Sequence, residues 1–279
     1  MIELPESYTL ARQLEKELKD KVVKSVVAGQ SPHKFAWFHG DKDGYDERLR
    51  GKRVSGAAYY GGRVELTMQD DMRLEFHDGV NLRILSAGAK RPQKHQLLVE
   101  FTDGGALCAS VQMYGGLMAY RQGEMDENPY YSVAREKPGL LSDGFDEAYF
   151  AGMLKQGDTG KLSAKAFLAT EQRIPGVGNG VVQDVLWLAK INPRTKLMKL
   201  SDGGIERLFL VLKRTVKEMA ERGGRDTEKD LYGCPGGYAA VMSKNNSAMV
   251  CPVCGQAVKK EAYLGGNVYY CVNCQPVLK

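Results

Sequence analysis

The alternation of apolar and polar residues changes character along the chain. Between residues 22 and 113 it follows a period of two, and the runs 22–27, 54–60, 63–68, 72–76, 81–85, 96–101 and 106–113 read as strands. Gly61-Gly62, Asp78-Gly79 and Asp103-Gly104 fall between runs and read as turns. One helix precedes the strands. Residues 7–20 carry Leu10, Ala11, Leu14 and Leu18 at helical spacing, with Ser7 as the expected cap. Many short strands with turn signals between them predict a β-sandwich or barrel.

The period then lengthens. Helices are expected over 163–172, with Phe167 and Leu168 inward, and over 180–190, with Val181, Val182, Val185, Leu186 and Ala189 on one face. A third is expected over 204–221, where Ile205, Leu208, Phe209, Leu212, Val216 and Met219 repeat at three and four. Polar residues 121–129 and Lys137-Pro138-Gly139 separate the two patterns, so 131–143 reads as an interdomain connection. The division expected is 1–130, 144–240 and 246–279, the last holding four cysteines.

Composition narrows the class modestly. The 279 residues suffice for two domains, and 43% hydrophobic content supports real cores. A net charge of +5 permits a polyanionic partner without requiring one. No run approaches the roughly 20 apolar residues of a membrane span, and the start lacks the pattern of a secretory signal. A cytoplasmic protein is expected.

The cysteines carry more. Cys251-x-x-Cys254 and Cys271-x-x-Cys274 flank sixteen residues, the pattern of a zinc ribbon with a hairpin around Gly265-Gly266. Four thiolates fill a tetrahedral shell, so one structural Zn2+ is expected. It would supply the folding energy that a tail of about thirty residues cannot draw from its own core. Two disulfides or four free thiols are the alternatives. Arg173-Ile-Pro-Gly176-Val-Gly178-Asn179-Gly180 joins two expected helices. Asn179 reads as the cap of the second, and the N–H groups there, with Lys165, read either as a phosphate site or as a plain joint.

Together these segments resemble the formamidopyrimidine-DNA glycosylase and endonuclease VIII family. The likeness rests on Glu3-Leu4-Pro5-Glu6, on Lys165 through Pro-Gly-Val-Gly-Asn179 to Asn192-Pro193, and on the tail ending Cys274-Gln275. It implies an α+β multidomain fold. An N-terminal β-sandwich with an opening helix would precede a helix–two-turns–helix domain ending in the zinc finger. It implies a monomer that grips damaged double-stranded DNA, flips a base out and excises it. Glu3 and Glu6 would handle protons beside the sugar, Lys165, Gly178 and Asn179 would hold the phosphate, and Tyr114 would wedge into the gap. A terminal acidic cluster favoured by a helix dipole, and an ordinary strand aromatic, are the plainer readings of Glu3, Glu6 and Tyr114.

This chain departs from the family at the chemistry. The family attacks with a proline amine exposed by loss of the initiator Met. Ile2 stands there, and a bulky second residue normally retains Met1, which moves the free amine by one residue, about 3.5 Å. An Ile2 amine, if freed, could also form a Schiff base. Glycine in Tyr60-Gly61-Gly62 replaces the family's hairpin lysine, with Arg63 beside it as a partial substitute, and Gly266 replaces the finger arginine. An active glycosylase with a weakened lyase step is therefore one expectation. A degenerate protein that binds damaged DNA without cutting it is the second, and a zinc-ribbon RNA or translation factor is the third.

Overall fold

The computed structural model describes residues 1–125, 127–246 and 249–278. Helix α1 spans Leu4–Leu18 and begins earlier than its apolar spacing suggests. Pro5 sits in the first turn, where a missing N–H is harmless. The Glu6 carboxylate accepts the Glu3 N–H at 3.1 Å, half of a capping box. Ser7 is therefore not the cap. Its hydroxyl lies inside the first turn, within donating distance of the Gly61 carbonyl at 2.5 Å and the Leu4 carbonyl at 3.0 Å.

Seven strands follow: β1 (Val23–Ala28), β2 (Ala36–Phe38), β3 (Val54–Tyr60), β4 (Arg63–Met68), β5 (Met72–Leu85), β6 (Leu97–Phe101) and β7 (Ala106–Arg121). Their order is β1-β6-β7-β5-β4-β3, with β2 parallel to β7. The long β5 merges two expected strands. Asp78-Gly79 is a bulge between them, where the register with β7 shifts and Asp78 adopts φ 59°. A Cβ on Gly79 would lie 2.6 Å from the Tyr114 carbonyl, so only glycine lets β7 approach. Both ends of the bent sheet feed one core with α1, from Val26 and Val99 to Leu66 and Leu74.

A short helix α2 (Tyr45–Leu49) was not legible in the spacing. Tyr45 buries its ring there, and its hydroxyl donates to the Leu117 carbonyl and accepts the Ala119 N–H. The expected connection is also partly helical. Helix α3 (Pro129–Glu136) starts on the Asn128 cap. From it Arg135 pairs with buried Glu65, its guanidinium 3.9 Å from the Tyr60 ring centroid. Polar composition suggested a linker, but ion pairing to the sheet face gives this segment a fixed place.

Four helices build the second core: α4 (Glu147–Leu154), α5 (Ala164–Ala169), α6 (Asn179–Leu188) and α7 (Asp202–Glu221). Phe167, Val181, Val185, Leu208, Leu212 and Val216 fill it, as their spacing requires. Leu4 joins this second core, whereas Ile2 and Leu10 join the first, so the start of the chain lies in the seam. Hairpin β8 (Val258–Tyr263) and β9 (Gly266–Cys271) completes the fold. Gln275 anchors it, accepting the Cys271 N–H and donating to the Ile191 carbonyl, both at 2.9 Å. No helix among the described residues is long and apolar enough to cross a membrane.

Candidate functional site

The seam concentrates the chemistry. Helix α6 presents free N–H groups at its amino end, as every helix does. Asn179 does not cap them; Gly178 holds the cap position without a side chain. The acceptor comes from the other end of the sequence. Glu3 takes the N–H of Gly180 at 2.8 Å on one oxygen, and those of Val181 at 2.8 Å and Gly178 at 3.2 Å on the other. These N–H groups therefore hold an internal carboxylate, favoured there by the helix dipole.

Glu6 lies alongside. It binds Arg225, whose Nε and Nη2 reach its two oxygens at 3.0 and 2.6 Å in a bidentate pair. Arg225 Nη1 is 3.4 Å from Glu3, so one guanidinium serves both acids. The same 223–237 segment carries Glu228, which pairs with the Met1 amine. Ile2 is buried, and its N–H donates to the Asp78 carbonyl at 2.5 Å. Neither Arg225 nor Glu228 stood out in the sequence. Single charges in a glycine-rich segment have no period, and only their partners 219 and 227 residues away reveal them.

The glycines of the β3–β4 turn close the seam. A Cβ on Gly61 would meet Pro175 Cβ at 2.7 Å, and one on Gly62 would lie 3.1 Å from the Ile2 carbonyl. Arg63 does not take the role of the missing lysine. It is buried and pairs with Glu75 on the sheet face, beside Tyr120, whose hydroxyl is within donating distance of Glu65 at 2.8 Å and Glu75 at 3.1 Å.

The expected phosphate-holding residues face the finger. Lys165 is buried and donates to the Tyr263 and Leu264 carbonyls at the hairpin turn. Burial pushes its amine down to about 8. The Asn179 amide donates to the Asn267 carbonyl at 2.9 Å, while its oxygen is buried without a partner among the described residues. Gly266 packs on this amide, its Cβ position 3.2 Å away. Lys165→Met should strip two turn carbonyls of their donor and cost about 1–3 kcal/mol. Thermal unfolding of the DNA-free protein checks this; an unchanged midpoint would mean the amine does not hold the finger.

Tyr114 is half-buried, with its hydroxyl 3.8 Å from Met1 Sδ and its ring 5.7 Å from Trp37. Burial, with Asp78 and Glu3 nearby, raises its phenol above the usual range. Its neighbour Met113 is 66% exposed and protrudes further. Met1, Ile2, Glu3, Glu6 and Tyr114 thus share one site, and Lys165, Gly178 and Asn179 border it on the finger side. The four cysteine sulfurs lie within 4.8 Å of one another, an arrangement that can hold a metal ion.

A β-sheet domain, a helical domain with a glycine-rich turn, a four-cysteine finger and two acids at the chain start define the class of a two-domain DNA glycosylase. Residues 1–113 match the formamidopyrimidine-DNA glycosylase N-terminal domain. A formamidopyrimidine-DNA glycosylase of Legionella pneumophila (strain Lens) is 30% identical over 242 residues, covering 84% of this chain and 85% of that protein. One from Lactococcus lactis subsp. cremoris is 26% identical over 282 residues, 99% of both. The Lactococcus lactis enzyme bound to abasic-site DNA superposes with TM-score 0.79 at 24% identity, covering 98% of this chain and 99% of that one. The chain belongs to the formamidopyrimidine-DNA glycosylase family.

Proposed function

We propose that this protein is a DNA-repair glycosylase that binds damaged duplex DNA and cuts the N-glycosidic bond of an oxidised base. The observation that carries the reading is the convergence of Glu3 and Glu6 with the amino end of α6 in the seam. Cleavage builds positive charge on the sugar, and a fixed carboxylate beside it stabilises that charge or takes up a proton. Base flipping brings the sugar to such a group, with Tyr114 and exposed Met113 filling the gap. Lys165, Gly178 and Asn179 border the path of the flanking phosphates. We read the unit as a cytoplasmic monomer with domains 1–130, 144–240 and 246–279.

The finger's metal is read as Zn2+. Four thiolates at about 2.3 Å from a tetrahedral zinc lie about 3.8 Å apart. Cys251 and Cys274 are 3.8 Å apart and Cys254 and Cys271 3.4 Å, so the donor set fits. An ion there would close the hairpin's ends and keep its tip against Lys165 and Asn179. With four thiolates filling its shell it would have no position open to substrate.

Base release from duplexes carrying a formamidopyrimidine or an oxidised pyrimidine tests the reading. Glu3→Gln should slow release by about 10²–10⁴-fold. Equal rates for the variant and the parent would remove Glu3 from the chemistry. A lyase step needs an amine at the sugar, and borohydride trapping on an abasic duplex reports it. The pairing of the Met1 amine with Glu228 favours a second reading, a protein that binds damaged DNA without cutting. That reading requires tight lesion binding with neither base release nor trapping.

A further inference from the structure

Arg225 is an unusual residue to find in this seam. It is the largest fully buried side chain among the described residues, at 2% exposure, and it comes from a loop after α7 rather than from either wall. The chain makes room for it twice. A Cβ on Gly180 would sit 1.5 Å from Nη1, so the glycine at the start of α6 is the space the guanidinium occupies. Gly224 turns the backbone through φ +95°, and the Arg225 N–H then also donates to Glu6, at 3.0 Å. Nη2 further reaches the Met1 carbonyl at 3.4 Å. Below, Asp226 fixes the loop by accepting the Ala240 N–H and donating its own to the Tyr238 carbonyl.

We infer that Arg225 is a positioning residue for base excision, holding Glu3 at the amino end of α6 both directly and through Glu6. This rests on the glycosylase reading and deepens it. The α6 amides donate to the Glu3 carboxylate, Arg225 pairs with it from the loop, and Glu6 of α1 accepts its backbone N–H. Among the described residues, Arg225 is the cation side chain paired with Glu3, and Glu228 pairs with the Met1 amine. Without the guanidinium, Glu6 loses its bidentate partner and Glu3 keeps only the α6 amides.

The test is single-turnover base release from a formamidopyrimidine duplex for the parent, Arg225→Lys and Arg225→Met, with duplex affinity measured alongside. Arg225→Met is expected to slow release on the order of a hundredfold while affinity stays within about threefold. Arg225→Lys, which keeps the charge but loses the bidentate fork, should recover part of the rate. If Arg225→Met does not fold, Arg225→Gln, which keeps an N–H donor towards Glu6 without the charge, takes its place with the same expected slowing. Release within threefold of the parent in Arg225→Met or Arg225→Gln overturns the inference, as does an Arg225→Lys variant no faster than Arg225→Met or a loss of duplex affinity that matches the loss of rate. A parent that binds the duplex and releases no base overturns the glycosylase reading and this inference with it.

Discussion

Removing the metal from the finger, by chelation or by Cys271→Ser, is expected to lower affinity for lesion duplex on the order of a hundredfold, about 2.7 kcal/mol. The finger's own core is small: Met242, Cys251, Val258, Tyr269 and Cys271, with a few half-buried neighbours. A bound structural zinc contributes about 10–16 kcal/mol in isolated finger peptides, so the hairpin should unfold without it. Its turn carbonyls would then leave Lys165, and Asn267 would leave Asn179. The two larger cores do not depend on the ion and should stay folded. Far-UV circular dichroism and duplex titration before and after chelation separate the two effects. Unchanged affinity in the chelated protein would show that the finger takes no part in binding.

The second large effect lies at the β3–β4 turn. Gly61→Ala is expected to destabilise by about 2–4 kcal/mol, because it adds left-handed backbone strain to overpacking. Gly61 has φ +55°, and its added methyl would press on Pro175 Cβ and C at 2.7 and 2.8 Å. Gly176→Ala strikes the same contact from the other side, 2.5 Å from the Gly61 carbonyl carbon. Gly62→Lys, which restores the family's residue type, should therefore perturb the seam rather than revive a lost function, since its Cβ lies 3.1 Å from the Ile2 carbonyl. Urea unfolding of the three variants measures this. A stable, more active Gly62→Lys would show that the seam opens readily enough to admit the side chain.

What the sequence made legible were the features that repeat. The spacing of Leu10, Leu14 and Leu18, the i, i+3 and i+4 pattern of α7, and the two Cys-x-x-Cys pairs each carry a period or a fixed offset, and each predicted its element. The chain start and the Pro-Gly-Val-Gly-Asn turn pointed to the family, and both lie in the seam. Elements held by single tertiary contacts stayed hidden. Strand β2 is three residues long and exists because it pairs with β7, α2 is organised around the Tyr45 hydroxyl, and α3 around Arg135. The glycine-rich turn reads either as a phosphate site or as a plain joint between helices. At Gly180 the neighbour that needs the space is Arg225, and at Gly176 it is Gly61. A glycine declares that something comes close, but not what.

The first seven residues make the seam's contacts at long range. Glu3 bonds to partners 175 to 178 positions away, Glu6 to one 219 positions away, and the Met1 amine to one 227 positions away. During synthesis the sheet domain can gather around α1 well before α6, Arg225 or Glu228 has left the ribosome. Leu4 must then wait, without its own core, until α6 and α7 arrive. The bonds that fix Glu3 and Glu6 can therefore form only after residues 180 and 225 have emerged. A polypeptide interrupted before residue 225 would carry both acids without the arginine that joins them.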